Sequence, residues 1–396
     1  MLSEKTIKLV KSTVPVLEQR GVDVTKNMYS HMLGENPDLL NIFNRTNQAT
    51  GLQPKALAAT VLAAAKNIDN LGVLLPAVRQ IGFKHRALQV KPEQYGTVGK
   101  YLLASIKETL NPPEEVLEAW KESYGVIAKT FIDVEAEMYK TELWNGWKTF
   151  VISGKKKVNE SGTMVEFSVD PVDESLKGAL TKFVPGQYIT VRTKPDNNDG
   201  HYALRHYSMS EIQGPDSLRF SVKFDDDKQG HQGLVSHYLI EKVNVGDKIE
   251  LSAPAGDFEL DKSLLNNKEV PLVLLSAGSG ASPLLALLQE QLSEGSTERP
   301  IYWIQSNRLA ADVPFVHDVD AELKQHASNY KNLQVITERS ARIDKQFLES
   351  NIPAEKSDIY LCGSVSFMDA MLKHLKEISK HYNLHYEAFG PKMSTV

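Results

Sequence analysis

Thiols are all but absent from this chain: Cys362 is the single cysteine among 396 residues. One thiol excludes an internal disulfide and any site built on several thiolates, such as structural zinc or an iron–sulfur cluster. Any metal must be held by histidine, by carboxylate or in a prosthetic group. Long apolar runs are missing too: "ALAATVLAAA" and "VPLVLLSAG" fall well short of the ~18 residues that a membrane span needs. The opening "MLSEKTIKLVKSTVPVLEQRG" is charged and amphipathic throughout, unlike a secretory leader. Positive charge is not in excess, since the formal net charge is -5, and this argues against a nucleic-acid partner. There is no internal repeat and no low-complexity segment. These absences predict a cytoplasmic protein without a membrane span, and we expect a monomer.

What is present divides into unlike parts. A chain of this length outgrows a single core, because domains rarely exceed ~250 residues before splitting. Residues 1–145 read as helix after helix, with apolar positions three and four apart and breaks at "GENPDLL", "ATGLQPKAL", "QVKPEQY" and "TLNPPEEV". In each break a proline stands near a helix start, where its missing N–H costs nothing. Residues 146–264 change to short alternating segments, "MVEFSVDPVD", "GQYITVRTK", "LRFSVKFDD" and "DKIELSAPAG", which predict an antiparallel β-domain. Residues 265–396 alternate buried strands with helices, as in "VPLVLLSAG" followed by "SPLLALLQEQL", which predicts a parallel α/β sheet. The fold class is multidomain: all-α, then antiparallel β, then α/β.

The α/β segment carries "AGSGASP", with Gly278, Ser279, Gly280, Ala281, Ser282 and Pro283 at the turn from a strand into a helix. Such a turn lets backbone N–H groups approach a diphosphate, which a helix N-terminus favours. Taken alone, the glycine pair reads equally well as an ordinary tight turn. The next strand ends "IQSNRLAAD", without the acidic residue that usually meets an NAD ribose. Ser306 and Arg308 suit a 2′-phosphate there, so NADPH stays open beside NADH. In the β-segment, "LRHYSMS" places an arginine and an aromatic hydroxyl where a flavin could use them, Arg205 at the diphosphate and Tyr207 with Ser208 at the ring or ribityl chain.

At the helical end, His85 in "LLPAVRQIGFKHRAL" lies on an apolar stripe, seven residues from Val78 and four from Ile81. A lone histidine there is ordinarily a core residue. An axial histidine needs an acceptor on its second nitrogen. Glu135, in the apolar face of "GVIAKTFIDVEAEMY", is the better candidate than Glu137, because a carboxylate among core residues is costly unless paired. A His85–Tyr95–Glu135 network follows as an expectation. For the opposite face of a heme, Tyr29 and Gln53 offer donors and Phe43 a flat apolar wall.

The order of these motifs, "RHYS", "GLVSHYL", "AGSGASP" and "YLCGS", resembles the ferredoxin reductase superfamily, in which a β-barrel holds FAD and an α/β domain holds NAD(P)H. The resemblance implies FAD contacts at Tyr188, Arg205, His206, Tyr207, Ser208, Gly233, Val235 and Ser236, and an NAD(P) loop at Gly278 through Pro283. It places Cys362 and Gly363 near the nicotinamide, with Ser364 standing where the family has proline, and it gives Phe389 of "YEAFGP" the place over the flavin. With "KHRALQVKPEQY", "VEAEMY", Tyr29, Phe43 and Gln53 added, the whole chain resembles the flavohemoglobin family. That implies a globin-like domain holding heme b through His85, and nitric oxide dioxygenase activity. It also implies redox tuning by Lys84 and Glu387. Ala388 stands where a cysteine is common. A heme-based O2 or nitric oxide sensor, and a general NAD(P)H–flavin reductase, remain the alternatives. No kinase, cyclase or DNA-binding module is legible to serve a sensor.

Overall fold

The computed structural model describes residues 2–43, 48, 50–212, 216–226, 232–353, 356–378 and 381–390. The chain forms two compact units, one built on Met1–Gly146 with Lys194–Leu204, the other on Trp147–Thr193 with Arg205–Gly390.

The first unit is helical, and its helix boundaries follow local chemistry. Helix α1 (Glu4–Ser12) is capped by Ser3, whose hydroxyl accepts from the Thr6 N–H at 3.0 Å. Helices α2 (Val14–Glu35), α3 (Leu52–Lys66) and α4 (Leu75–Ala87) follow. Helix α5 (Pro92–Leu110) starts on proline, with the Gln94 side chain accepting from the Lys91 N–H at 2.8 Å. Helix α6 (Glu114–Lys140) follows directly on Pro113. Each proline-marked break of the sequence therefore falls between helices or in a first turn. A core of Val24, Met28, Met32, Val61, Leu102, Ile106 and Trp120 joins α2, α3, α5 and α6.

In the second unit, six antiparallel strands form one sheet in the order β4-β3-β6-β1-β2-β5. The strands are β1 (Lys148–Lys157), β2 (Met164–Pro171), β3 (Tyr188–Thr193), β4 (Ala203–Ser208), β5 (Leu218–Lys223) and β6 (Lys248–Leu251). The expected barrel is not a closed ladder. Its end strands meet only near the isolated Met209–Phe220 bridge. A short helix, α7 (Leu234–His237), follows β5.

The remaining strands, β7 (Leu272–Ala277), β8 (Ile301–Asn307), β9 (Tyr330–Ile336), β10 (Ser357–Ser364) and β11 (Tyr382–Phe389), form a parallel sheet in the order β11-β10-β7-β8-β9. Helices α8 (Ala281–Glu294), α9 (Val316–His326), α10 (Lys345–Asn351) and α11 (Val365–Lys376) connect its strands. Strand order reverses between β7 and β10, and crevices at the carboxyl ends of such a pair are where open α/β sheets bind ligands. The two sheets share a core: Val158, Met164 and Phe258 pack with Leu274, Leu284 and Trp303. At the amino ends of the strands, fully buried Arg299 donates to Asp358 at 3.0 Å, to Gln291 at 2.8 Å and to the Val270 carbonyl at 2.9 Å. The guanidinium is thereby supplied with acceptors, as a buried charge requires.

Just beyond α6, both carboxylate oxygens of Glu142 are out of water without a hydrogen-bond partner among the described residues. Burial pushes its pKa up to about 7, against the opposing pull of Arg86 and Lys91. A raised folded-state pKa contributes stability below the unfolded value, here 4.5, which is lost as pH rises through the folded one. Glu142→Gln should therefore melt at the wild-type temperature at pH 4.5. At pH 8 the helical unit should melt about 2–4 °C higher, as read by thermal denaturation followed by circular dichroism.

Candidate functional site

Helix α4 ends on Lys84, His85 and Arg86, and α6 crosses it where Gly82 leaves room for Met138, 3.1 Å from where a Cβ would stand. That crossing brings Glu135 to His85. The His85 Nδ1 lies 2.7 Å from Glu135 Oε1 and 2.9 Å from the Tyr95 hydroxyl, and Tyr95 donates to the same Glu135 oxygen at 2.5 Å. Glu135 is 4 % exposed, so the proton on Nδ1 answers a carboxylate that has little water. Burial pushes the Tyr95 hydroxyl pKa well up, and the Glu135 charge pushes it further, so this hydroxyl stays a donor. The imidazole Nε2 makes no hydrogen bond to any described residue, which is the arrangement an axial ligand needs. Glu137 is exposed and paired with Lys140 at 2.6 Å.

Two contributors to this network are not among the sequence-derived candidates. Phe131 lies 6.1 Å from both the His85 and the Tyr95 rings. Tyr124 donates to the Tyr95 carbonyl at 2.6 Å. Both share the inward stripe of α6 with Glu135, at spacings of four and eleven residues, and that periodicity was the available signal.

Tyr29, buried on α2, is hydrogen-bonded to Gln53 of α3 and meets the Phe43 ring edge-on at 5.5 Å. Burial pushes its pKa up to about 12, with the Gln53 bond pulling the other way. The hydroxyl therefore keeps its proton, as a donor to an apolar-bound diatomic must. A histidine with one idle nitrogen and a buried, protonated phenol fit the residues that a heme requires.

In the β-sheet, Tyr188 on β3 packs against His206 on β4, ring centres 4.9 Å apart, and Thr190 hydrogen-bonds His206 Nδ1 at 2.8 Å. Tyr207 stacks on Phe220 at 5.6 Å. Burial lowers the Arg205 pKa, while Tyr207 and Asp225 pull it up. Ser208 is buried at the end of β4. Gly233 precedes α7 where a Cβ would stand 2.3 Å from the Asp225 carbonyl, and the Ser236 hydroxyl accepts from the Asp225 N–H at 3.1 Å. Val235 and Ser236 are buried, and the Ser236 hydroxyl is already engaged in shaping this loop. The fit to a flavin diphosphate rests on half-buried Arg205, near enough to Tyr207 and Asp225 for both to act on its charge.

At the strand-order reversal, Gly278 has φ +54°, and Gly280 passes so close to β10 that a Cβ would stand 2.2 Å from the Cys362 carbonyl oxygen. Ala281, Ser282 and Pro283 are buried, so of this stretch only backbone groups and the partly open Gly278 and Ser279 face outward. Cys362 is fully buried, and burial holds its thiol well above the usual pKa. Its sulfur is a core atom beside Glu387, its register partner on β11. Gly363 is crowded by Phe367, and Ser364 caps α11 by accepting from the Phe367 N–H at 3.4 Å with φ −66°. A serine thus keeps a φ that proline would also have, and the turn survives the exchange. Phe389 is half-buried at the end of β11, in register with Ser364. Ser306 and Arg308 lie at the end of β8. Lys84 belongs to the first unit and Glu387 to the second.

Replacing Gly280 by alanine should cost about 1–3 kcal/mol, because the added methyl meets backbone. Gly278→Ala should cost about 1 kcal/mol for its left-handed φ alone. Urea unfolding of the two variants checks the order.

Comparison with known proteins agrees in all three segments. A globin family model matches residues 26–131, an oxidoreductase FAD-binding domain residues 149–260 and an oxidoreductase NAD-binding domain residues 274–373. The flavohemoprotein of Bacillus subtilis is 41% identical over 415 aligned positions, covering 100% of this chain and 99% of that one. Flavohemoprotein A of Dictyostelium discoideum is 40% identical over 98% of each chain. The crystal structure of flavohemoglobin from Malassezia yamatoensis with bound FAD and heme superposes with a TM-score of 0.83 at 27% identity, covering 98% of this chain and 100% of that one. Heme, FAD and a nicotinamide nucleotide are accordingly the cofactors of this oxidoreductase, and the chain belongs to the flavohemoprotein family.

Proposed function

We propose that this protein is a nitric oxide dioxygenase, converting nitric oxide and O2 to nitrate with electrons from NAD(P)H, and that it works as a cytoplasmic monomer removing nitric oxide. The observation that carries the reading is a histidine whose Nδ1 is fixed by a buried carboxylate and whose Nε2 is left idle, in one chain with a hydride-accepting module. An oxygen store would need no reductant at each turnover. Balance supports the assignment: two nitric oxides and two O2 take up the two electrons of one NAD(P)H to give two nitrates and a proton.

Heme supplies an iron that binds O2 and accepts single electrons, and FAD supplies the conversion from a hydride's electron pair to single electrons. His85 would hold the iron through Nε2. Glu135 and Tyr95 keep the Nδ1 proton on a strong acceptor, which raises the donor power of the opposite nitrogen. Tyr29, its hydroxyl kept protonated by burial and directed by Gln53, would donate a hydrogen bond to a bound diatomic, and Phe43 beside it would help to keep water out. In the reductase segment, Arg205 would pair with the flavin diphosphate, and Tyr188, His206, Tyr207 and Ser208 would hold its ring and ribityl chain. Gly233, Val235 and Ser236 would shape the loop that holds it, and Phe389 would shield the flavin from water. Gly278, Ser279 and Gly280 admit the nucleotide diphosphate to backbone N–H groups, with Cys362 and Gly363 forming the wall behind it. Lys84 and Glu387 bias the electron-accepting potentials through their opposite charges. The corresponding segments are 1–145 for heme, 146–264 for FAD and 265–396 for the nucleotide.

With the protein loaded with heme and FAD, His85→Ala should abolish nitric oxide consumption while NAD(P)H still reduces the flavin. Tyr29→Phe should slow consumption roughly 100-fold. A nitric oxide electrode with nitrate quantified checks both. Binding of nitric oxide without turnover in the intact protein, beside normal flavin reduction, would replace this reading with a sensor.

A further inference from the structure

The carboxyl end of the β8–β9 pair carries three arginines whose charge is paired with none of the described residues. Strand β8 ends at Asn307, and the pairing continues one step further: the Thr337 and Glu338 N–H groups donate to the Asn307 and Arg308 carbonyls at 2.9 Å and 3.1 Å. This brings Arg308 beside the turn that carries Arg339, with Arg342 three residues on. All three arginines are exposed, and none makes a salt bridge or side-chain hydrogen bond to a described residue. Glu338 is the one carboxylate between them in the turn, and it pairs with none of them. Asp312, in the short helix after β8, is likewise without an ion pair. The turn and the adjoining strand end therefore carry three unpaired arginines against the unpaired Glu338, while Asp344, the next carboxylate along, is engaged in accepting from the Phe347 N–H.

A second observation lies at the same strand end. Asn307 is 6 % exposed, and its side-chain Nδ2 has no acceptor among the described residues. In sheets of this topology the residue closing the second strand contacts the nucleotide ribose, and a carboxylate there accepts from the free 2′-hydroxyl of NAD. Here that position offers an idle amide donor followed by an arginine, which suits an acceptor with negative charge.

From these contacts we infer that the chain discriminates in favour of NADPH, with Arg308, Arg339 and Arg342 forming a cationic seat for the 2′-phosphate. The inference rests on the reductase reading above. Guanidinium groups meet phosphate oxygens with charge-assisted, bidentate hydrogen bonds that a ribose hydroxyl cannot return.

Calorimetric titration of the FAD-loaded full chain with adenosine 2′,5′-bisphosphate and with 5′-AMP tests the binding without turnover. The bisphosphate should bind about tenfold tighter or better, and the advantage should shrink with added salt. In flavin reduction, Arg308→Ala and Arg339→Ala should each lower the NADPH-to-NADH ratio of kcat/KM by about tenfold, while Glu338→Gln should raise it. Equal affinity for the two nucleotides, or a ratio that the arginine variants leave unchanged, overturns the proposal while the reductase stands. If neither nucleotide binds and neither NADH nor NADPH reduces the flavin, the reductase reading falls with it.

Discussion

A carboxylate buried in an apolar helix face must be given donors, and that requirement organises the helical unit. Glu135 would be too costly in the stripe of α6 if it stood alone. Its answer comes from two other helices, the Nδ1 of His85 on α4 and the hydroxyl of Tyr95 on α5. Three helices are thereby held in one register by a single oxygen atom. The same contacts define the chemistry, because a histidine that gives its Nδ1 proton to a carboxylate is a better donor through Nε2. Packing supports the arrangement from behind: Gly82 lets α6 approach α4, and Tyr124 pins the backbone at Tyr95.

In the second unit the corresponding constraint is close approach of backbone. Gly280 and Cys362 touch so tightly that no side chain fits between the first turn of α8 and strand β10. That closeness leaves main chain, not side chains, between Gly280 and Cys362 at the strand-order reversal. The Cys362 sulfur lies inside the core, where burial keeps the thiol protonated. At the opposite, amino ends of the strands, the Arg299–Asp358 pair ties β10 to the segment that leads into β8. Among the described residues, the amino end of the sheet thus holds the paired Arg299–Asp358 charges, whereas at the carboxyl end the Asn307 Nδ2 is left without an acceptor.

Much of this is legible in the sequence where one residue type has one physical reason to be present. Prolines mark the helix starts, and Glu135 in an apolar stripe demands partners, so the His85–Tyr95–Glu135 cluster follows from spacing. The alternation of buried strands and helices gives the parallel sheet. Other features resist reading because their signal is shared with ordinary packing. Phe131 looks like any core phenylalanine until the fold brings it to His85. Strand β1, "KTFVISGKKK", ends in three lysines and carries a bulge between Ile152 and Gly154, so its alternation is broken. The β-sheet's failure to close as a barrel depends on how its end strands meet, which no local pattern encodes. Ser364 stands where the family has proline, and the cap to Phe367, which no local pattern announces, explains why the turn tolerates it.

The central claim is that Glu135 sets the donor strength of His85, and the most direct test is the iron–histidine stretching frequency of the reduced, heme-loaded protein by resonance Raman. Glu135→Gln should lower that frequency clearly and Tyr95→Phe should lower it less, because the carboxylate is the stronger acceptor of the Nδ1 proton. An unchanged frequency in Glu135→Gln, with heme still bound through His85, would contradict the account.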